Sequence, residues 1–303
     1  MNYGMPYMGN KSTIAEKLIE LLPSGKRFVD LFGGGGAISH CASQSGKYEN
    51  VFYNELNPIV VETIKKAING FYNYDRFKPE FITREMFYDL KDKDGYVAYV
   101  WSFGNRGVTY LFNRELEKQK QALHNAIVFD DYSEAVKIYP DLIHIKGNNI
   151  KERRLSCKRI ITQNIKNKPE LEQLQRLQQL QQLNQLENLQ RLENLQRLEN
   201  LQRLEINCGS YLDYKHQDGD VVYCDPPYEN TEKYCKDGFN HKEFYEWVAT
   251  REYPVYFSSY AISDKRFFNV YEQSKRETLS SSGNSNRKVE VLYCNRQDRL
   301  TLF

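Results

Sequence analysis

No two of the six cysteines, Cys41, Cys157, Cys208, Cys224, Cys235 and Cys294, form a C-x-x-C pair or fall at a metal-ligand spacing. No metal site and no disulfide framework are therefore expected, and the thiols read as reduced, in a cytoplasmic protein. No apolar run approaches the length of a membrane span and no signal-peptide pattern opens the sequence, so no membrane partner is expected. Net charge is nearly absent: 42 Lys and Arg against 40 Asp and Glu leave +2. That balance says nothing by itself about nucleic acid. The remaining composition, 40% hydrophobic and 27% charged over 303 residues, is that of an ordinary globular protein with one large domain or two modest ones.

Against this plain background one stretch stands out, Val221-Val222-Tyr223-Cys224-Asp225-Pro226-Pro227-Tyr228. It reads as a short buried strand that runs into a stiff polar corner. Two prolines fix φ and remove two backbone donors, so the strand stops there. Asp225 and Tyr228 are then held at the carboxyl end of a strand, where open α/β sheets bind ligands. The plain alternative is an Asp-Pro turn with a surface tyrosine. The corner suits attack by an exocyclic amino nitrogen of a nucleobase, whose lone pair is delocalised into the ring. The Asp225 carboxylate and the Pro226 carbonyl can each accept one amino N–H, and Tyr228 can stack on the base. A base inside a duplex would have to be flipped out to reach them.

The N-terminal Tyr7-Met8-Gly9-Asn10-Lys11 precedes an amphipathic helix, with Ser12 as the predicted N-cap and an end at Leu22. Lys11 reads either as a ligand contact or as a solvated lysine at a helix start. A strand, RFVDLF, then ends in Gly33-Gly34-Gly35-Gly36 and a helix begins. Glycines there let a ligand approach the backbone at a helix N-terminus, or serve only as a structural loop. Asp30 in the strand end would repel a pyrophosphate and suits a cationic amino-acid group, which favours S-adenosylmethionine over NAD. A second strand, Val51 to Glu55, places an acid about twenty residues on, where nucleoside-binding folds hold ribose hydroxyls. Pro58 opens the next helix.

From Phe71 to about Lys168 the alternation breaks. Tyrosines are dense here and can be core or a stacking surface. Lys151, Arg153, Arg154, Lys158, Arg159 and Lys166 form a basic run, read as a phosphate-contacting surface beside a base-modifying motif. Leucine then occupies every third place from Leu171 to Leu204. That spacing is neither a heptad nor a leucine-rich repeat. It would wind round an α-helix but form one stripe on a 3₁₀-helix, so a helix of 3₁₀ character is predicted, from Pro169 to Cys208-Gly209. Its leucine stripe is expected on the protein body or on a second subunit in a homodimer. The α/β order resumes with a strand and turn at 206–213, a helix from Lys242 to Thr250, and strands at Pro254–Tyr260 and Val289–Cys294.

Together Tyr7 to Lys11, Asp30-Leu31-Phe32-Gly33-Gly34, the strand ending in Glu55, Ser210-Tyr211 and Asp225-Pro226-Pro227-Tyr228 resemble the Dam-type N6-adenine DNA methyltransferases of phages and bacteria. The resemblance implies an α/β, Rossmann-like methyltransferase sheet at 1–70 and 206–303. It implies a target-recognition insertion at 71–168 that binds double-stranded DNA; the leucine segment, 169–205, is no part of the family core. It further implies that Tyr7, Lys11, Asp30, Phe32, Gly33, Gly34 and Glu55 hold S-adenosylmethionine, with Tyr211 against its adenine ring. Asp225, Pro226 and Tyr228 would form the catalytic corner, with Asp225 also facing the cofactor. Ser102 to Tyr110 resembles the family's base-reading hairpin, which makes Asn105, Arg106, Thr109 and Tyr110 candidates for DNA contact alongside Arg153 and Arg154. The competing readings are an RNA methyltransferase with the same corner and a catalytically silent nucleic-acid-binding module.

Overall fold

The computed structural model describes residues 3–145, 147–166, 187–199, 201, 203–229, 238–275 and 288–297, which fall into two units. The first comprises Met1–Tyr3, Lys11–Val61 and Leu201–Phe303; the second comprises Gly4–Asn10 and Glu62–Asn200. In chain order the elements are α1 (Ala15–Leu21), β1 (Gly25–Asp30), α2 (Ala37–Gln44), β2 (Tyr48–Glu55), α3 (Pro58–Ile68) and α4 (Arg84–Leu90). A π-helical turn (Tyr96–Val100) follows, then α5 (Arg114–Phe129), α6 (Ala135–Ile138), α7 (Ile150–Lys166) and α8 (Glu187–Gln196). The chain closes with β3 (Leu204–Cys208), β4 (Asp220–Cys224), α9 (His241–Ala249), β5 (Val255–Tyr260), β6 (Phe268–Lys275) and β7 (Lys288–Cys294).

Among the described residues of the first unit, seven strands form one sheet in the order β3-β2-β1-β4-β5-β7-β6. Neighbours from β3 to β5 pair in parallel, and β7 lies antiparallel between β5 and β6. Parallel strands covered on both faces need apolar residues at every position. The pleat then sends successive side chains to opposite sides. Phe28, Val221, Tyr223 and Tyr256 join one core with Leu18 and Ile19 of α1 and Ile38 of α2. Their chain neighbours Val29, Val222, Cys224 and Phe257 join the other with Phe244 and Trp247 of α9. The chain runs from β1 outward to β2 and β3, while β4 and β5 lie on the opposite side of β1. The sheet therefore reverses its winding between β1 and β4, and open α/β sheets bind ligands at such a reversal, outside the carboxyl ends of the strands. The predicted helix starting at Ser12 begins later, at Ala15, without a side-chain cap. Ser12 instead accepts the Tyr3 N–H at 2.7 Å, so its hydroxyl is already committed.

The second unit packs Leu123, Ala126 and Ile127 of α5 against Cys157 and Ile161 of α7 and Leu189 of α8. Tyr74, Tyr132 and Tyr139 pack against this core, and Tyr72, Tyr96 and Tyr110 of the same segment are buried, while Tyr88 is exposed. His124 is buried among Phe81, Trp101 and Phe129, and burial pushes its imidazole down to about 4. The ring bonds the Pro79 carbonyl through Nε2 and Asn188 through Nδ1.

The described end of the leucine repeat, Glu187–Gln196, is α-helical, which corrects the 3₁₀ prediction there. Each triplet step falls ~60° short of an α-helical turn, so three leucines span only ~120°, about the width of a core-facing stripe. Leu189, Leu192, Leu195 and, in the turn after α8, Leu198 are all buried. The helix ends before the drift can carry a leucine to the outer face, and Leu204 opens β3 where a helix was predicted to continue. These four leucines are covered, so they present no stripe to a second subunit. Polar residues beside them are engaged as well: Gln196 donates to the Tyr72 carbonyl at 2.8 Å, and Glu199 accepts from Asn73 at 2.9 Å. The earlier triplets, 171–186, lie outside the described residues.

Candidate active site

Three strands of the first unit deliver acids to the carboxyl edge of the sheet. β1 ends at Asp30, β2 ends at Glu55, and β4 is followed by Asp225. Asp30 is 2% exposed and accepts the Ser39 hydroxyl of α2 at 2.7 Å. Burial pushes its carboxyl up to about 7 against that hydrogen bond, which ties the end of β1 to α2. Glu55 spans the turn itself, accepting the Gly34 N–H at 2.9 Å and the Asn57 N–H at 2.8 Å. Burial raises its pKa, and those backbone donors oppose the rise. Gly33 donates to the Asn54 carbonyl at 2.8 Å, which stitches the turn to β2. Phe32 lies 5.1 Å from Tyr211, and both pack on Phe239 and Phe244.

At the Asp-Pro-Pro-Tyr corner the Lys11 ammonium sits 3.0 Å from Asp225 Oδ2 and 3.1 Å from Glu290 Oε1. The same Oε1 accepts the Tyr228 hydroxyl at 2.7 Å. Lys11 also lies 4.7 Å from the centre of the Tyr228 ring, a cation–π distance. Burial disfavours the Lys11 cation, but the two carboxylates carry its pKa above the ordinary value. Burial raises Asp225, with Lys11 opposing. Asp225 Oδ1 is buried and has no hydrogen-bond partner among the described residues. On the other side of the corner, His241 Nε2 donates to the Pro227 carbonyl at 2.8 Å. Tyr228 is wedged edge-on against Tyr260, with ring centres 4.8 Å apart. What converges here is one cation held between two carboxylates, a fixed aromatic face, and one acceptor oxygen lacking a donor.

The D12 class N6 adenine-specific DNA methyltransferase family matches residues 7–247. The chain belongs to that family. Its activity is methylation of adenine N6 in DNA, and the RNA-methyltransferase reading falls away. The methyltransferase is also similar to the Retron Ec67 DNA adenine methylase of Escherichia coli, with 24% identity over 311 residues, 95% of this chain and 89% of that one. Among the described residues, no helix is long and apolar enough to cross a membrane.

Sequence reasoning missed Glu290 and His241. A signal for Glu290 was present: it is a lone acid in a strand, KVEVLYC, whose later residues are all apolar and buried. A charge there calls for a partner. Because β7 runs antiparallel to β5, its first turns of pleat lie beside the last residue of β5, and Glu290 pairs with Tyr260 at the edge that holds Asp225. Tyr7 belongs to the second unit, where its ring packs on Tyr99 at 5.0 Å.

The candidate DNA-contacting residues of the second unit divide. Ser102 and Tyr110 form an isolated antiparallel bridge, and the Phe103 N–H bonds the Thr109 carbonyl at 2.8 Å, closing a hairpin. Gly104, Asn105 and Gly107 adopt positive φ at its tip. Arg106 and Thr109 are exposed, and so are two residues not predicted, Phe103 at 67% and Val108 at 63%. Tyr110 is not on this surface: its ring is buried and its hydroxyl donates to the Ile82 carbonyl at 2.6 Å. Arg153 and Arg154 are engaged within the unit. Arg153 donates to the Ile127 carbonyl at 2.7 Å, near the end of α5, and Arg154 makes a bidentate pair with Glu193 at 3.0 and 2.7 Å. Both guanidiniums are spent inside the unit, while Lys151, Lys158 and Arg159 are exposed among the described side chains of α7.

Proposed function

We propose that this methyltransferase uses S-adenosylmethionine held at the carboxyl edge of β1 and β2, and flips its target adenine to the Asp225–Tyr228 corner. The observation that carries the reading is the orphaned Asp225 Oδ1 at the winding reversal of the sheet. A buried acceptor without a donor costs roughly 1–3 kcal/mol, which an incoming amino N–H would relieve. The donor set also fits a sulfonium nucleoside: Glu55 and Asp30, the backbone of the Gly33-Gly34 turn, and the Phe32–Tyr211 aromatic pair offer acidic, polar and apolar surface together. When bound, S-adenosylmethionine supplies an electrophilic methyl group.

The chain's own residues do the rest. Asp225 Oδ1 accepts one N–H of the adenine amino group and localises its lone pair. It can take the proton that the nitrogen sheds once methylated. Lys11, 3.0 Å from Oδ2, opposes the upward shift that burial imposes on the Asp225 carboxyl. Glu290 fixes Lys11 and the Tyr228 ring through one oxygen. His241 holds the Pro227 carbonyl and so the angle of the corner. These groups are placed before reaction, which is where such sites gain their rate.

Glu290→Gln should therefore lower the single-turnover methylation rate by roughly 10²-fold, the scale associated with misplacing a reacting group by about 1 Å. Duplex affinity, measured separately, should not change. A wild-type rate would remove Glu290 from the site.

In the second unit the exposed hairpin carrying Arg106 and Thr109 reads the target, with Phe103 and Val108 as apolar contacts to the opened duplex. The test is to map methylated adenines in DNA from cells that express the wild type and Arg106→Ala. The variant should methylate a broader set of sites, since a bidentate arginine–guanine contact is worth roughly 1–3 kcal/mol. An identical set of sites would show that the hairpin does not select the target.

A further inference from the structure

Arg191 lies on α8, in the described end of the leucine repeat, and is 6% exposed. Its Nη1 donates to two carbonyls, Val100 at 2.9 Å and Ser102 at 2.6 Å. Val100 closes the π-helical turn, and Ser102 opens the hairpin. The last carbonyls of a helical turn have no donor within it, so they need one from elsewhere. Ser102 is also the residue through which the hairpin closes. Its hydroxyl accepts the Gly107 N–H at 2.9 Å, and its carbonyl accepts the Asn105 N–H at 3.3 Å as well as Arg191. One guanidinium thus bears on the root of a loop whose outward residues are Phe103, Arg106, Val108 and Thr109.

The hexad Leu-Glu-Asn-Leu-Gln-Arg occurs three times in succession, ending at Arg191, Arg197 and Arg203. Arg197 and Arg203 are exposed. Three arginines in the same local sequence therefore have different fates, and only the place of α8 in the second unit buries Arg191 under the hairpin.

We propose that Arg191 is a positioning residue for target selection, pinning the root of the 102–110 hairpin so that Arg106 and Thr109 meet base edges in one register. The repeat then contributes to specificity without touching DNA. This rests on the reading of the hairpin as the target-reading element. A planar guanidinium holds two acceptors in fixed directions, which an ammonium point charge does not reproduce.

The experiment compares Arg191→Lys, Arg191→Gln, the matched control Arg197→Lys, and Arg106→Ala. Each is assayed on the preferred duplex and on duplexes with one base pair changed, with thermal unfolding followed in parallel. Both Arg191 variants should stay folded and lose about tenfold in discrimination, the scale of one misplaced base contact. The rate on the preferred duplex should fall less than the discrimination does, and Arg197→Lys should match the wild type. Unchanged discrimination in folded Arg191 variants, with Arg106→Ala relaxed, would overturn the proposal while leaving the hairpin reading intact. Unchanged discrimination in Arg106→Ala would instead overturn the hairpin reading. An equal loss of rate on every duplex, or failure of both Arg191 variants to fold, would assign the arginine to stability alone and also overturn the proposal.

Discussion

Asp225→Ala is expected to lower the rate of methyl transfer by roughly 10²–10³-fold, the loss typical of removing one pre-organised partner of the reacting group. The fold should survive the change. Lys11 keeps Glu290 at 3.1 Å, so no unpaired cation is left behind. Oδ1 is already an unsatisfied buried acceptor, and its removal relieves a cost. Unfolding temperature should therefore stay level or rise slightly, and S-adenosylmethionine should still bind, because the Gly33-Gly34 turn and Glu55 are untouched. Single-turnover methylation of a duplex, with calorimetric binding of the cofactor alongside, separates these quantities. Near-wild-type turnover would show that the corner does not activate the amino group. A marked fall in unfolding temperature would show that Asp225 is structural.

Gly33→Ala should also have a large effect, through stability. A Cβ at this position would sit 2.2, 2.4 and 2.9 Å from three ring atoms of Tyr53. The ring cannot withdraw, since Tyr53 is fully buried and its hydroxyl is held by the Gly34 carbonyl at 2.7 Å. Overpacking of this kind costs about 1–3 kcal/mol in a core. Here the strain falls on the turn that Glu55 and Asn54 tie to β2. The variant should unfold at lower temperature and lose cofactor affinity with it. Adding Tyr53→Leu, which removes the ring, should recover part of the loss, because neighbouring substitutions couple. A Gly33→Ala protein with unchanged unfolding temperature would show that the turn can shift freely.

Gly33 was singled out in the sequence for one reason, and the fold constrains it for another. A glycine after a strand was read as room for a ligand, whereas the Tyr53 ring alone forbids a side chain there. Tyr53 was visible in the sequence, but nothing local says that its ring crosses beneath residue 33. The basic run is the opposite case. Its composition suggested phosphate contact, yet Arg153 and Arg154 answer acceptors on α5 and α8 that lie far along the chain. A charge run reports that cations are present and not which acceptors face them. In the described leucine triplets the helix stops after Gln196, before the drift turns a leucine outward, so Leu189, Leu192 and Leu195 keep one buried face.

What the sequence determined by itself was whatever depends on neighbours in the chain. Alternating and continuous apolar runs marked β1, β2, β4, β5 and β7, since the pleat has a fixed period. Two prolines ended β4, since φ and the missing donors are properties of proline itself. The chemistry proposed for the corner rests on the residue types held in that turn. The tertiary structure alone decided which groups complete it. Lys11, Asp225 and Glu290 are distant in the chain and meet because β7 runs antiparallel, bringing its first residues to the edge where the parallel strands end. Pairing among buried charges depends on distances of a few ångströms between separate elements, and those distances exist only once the strands are in register.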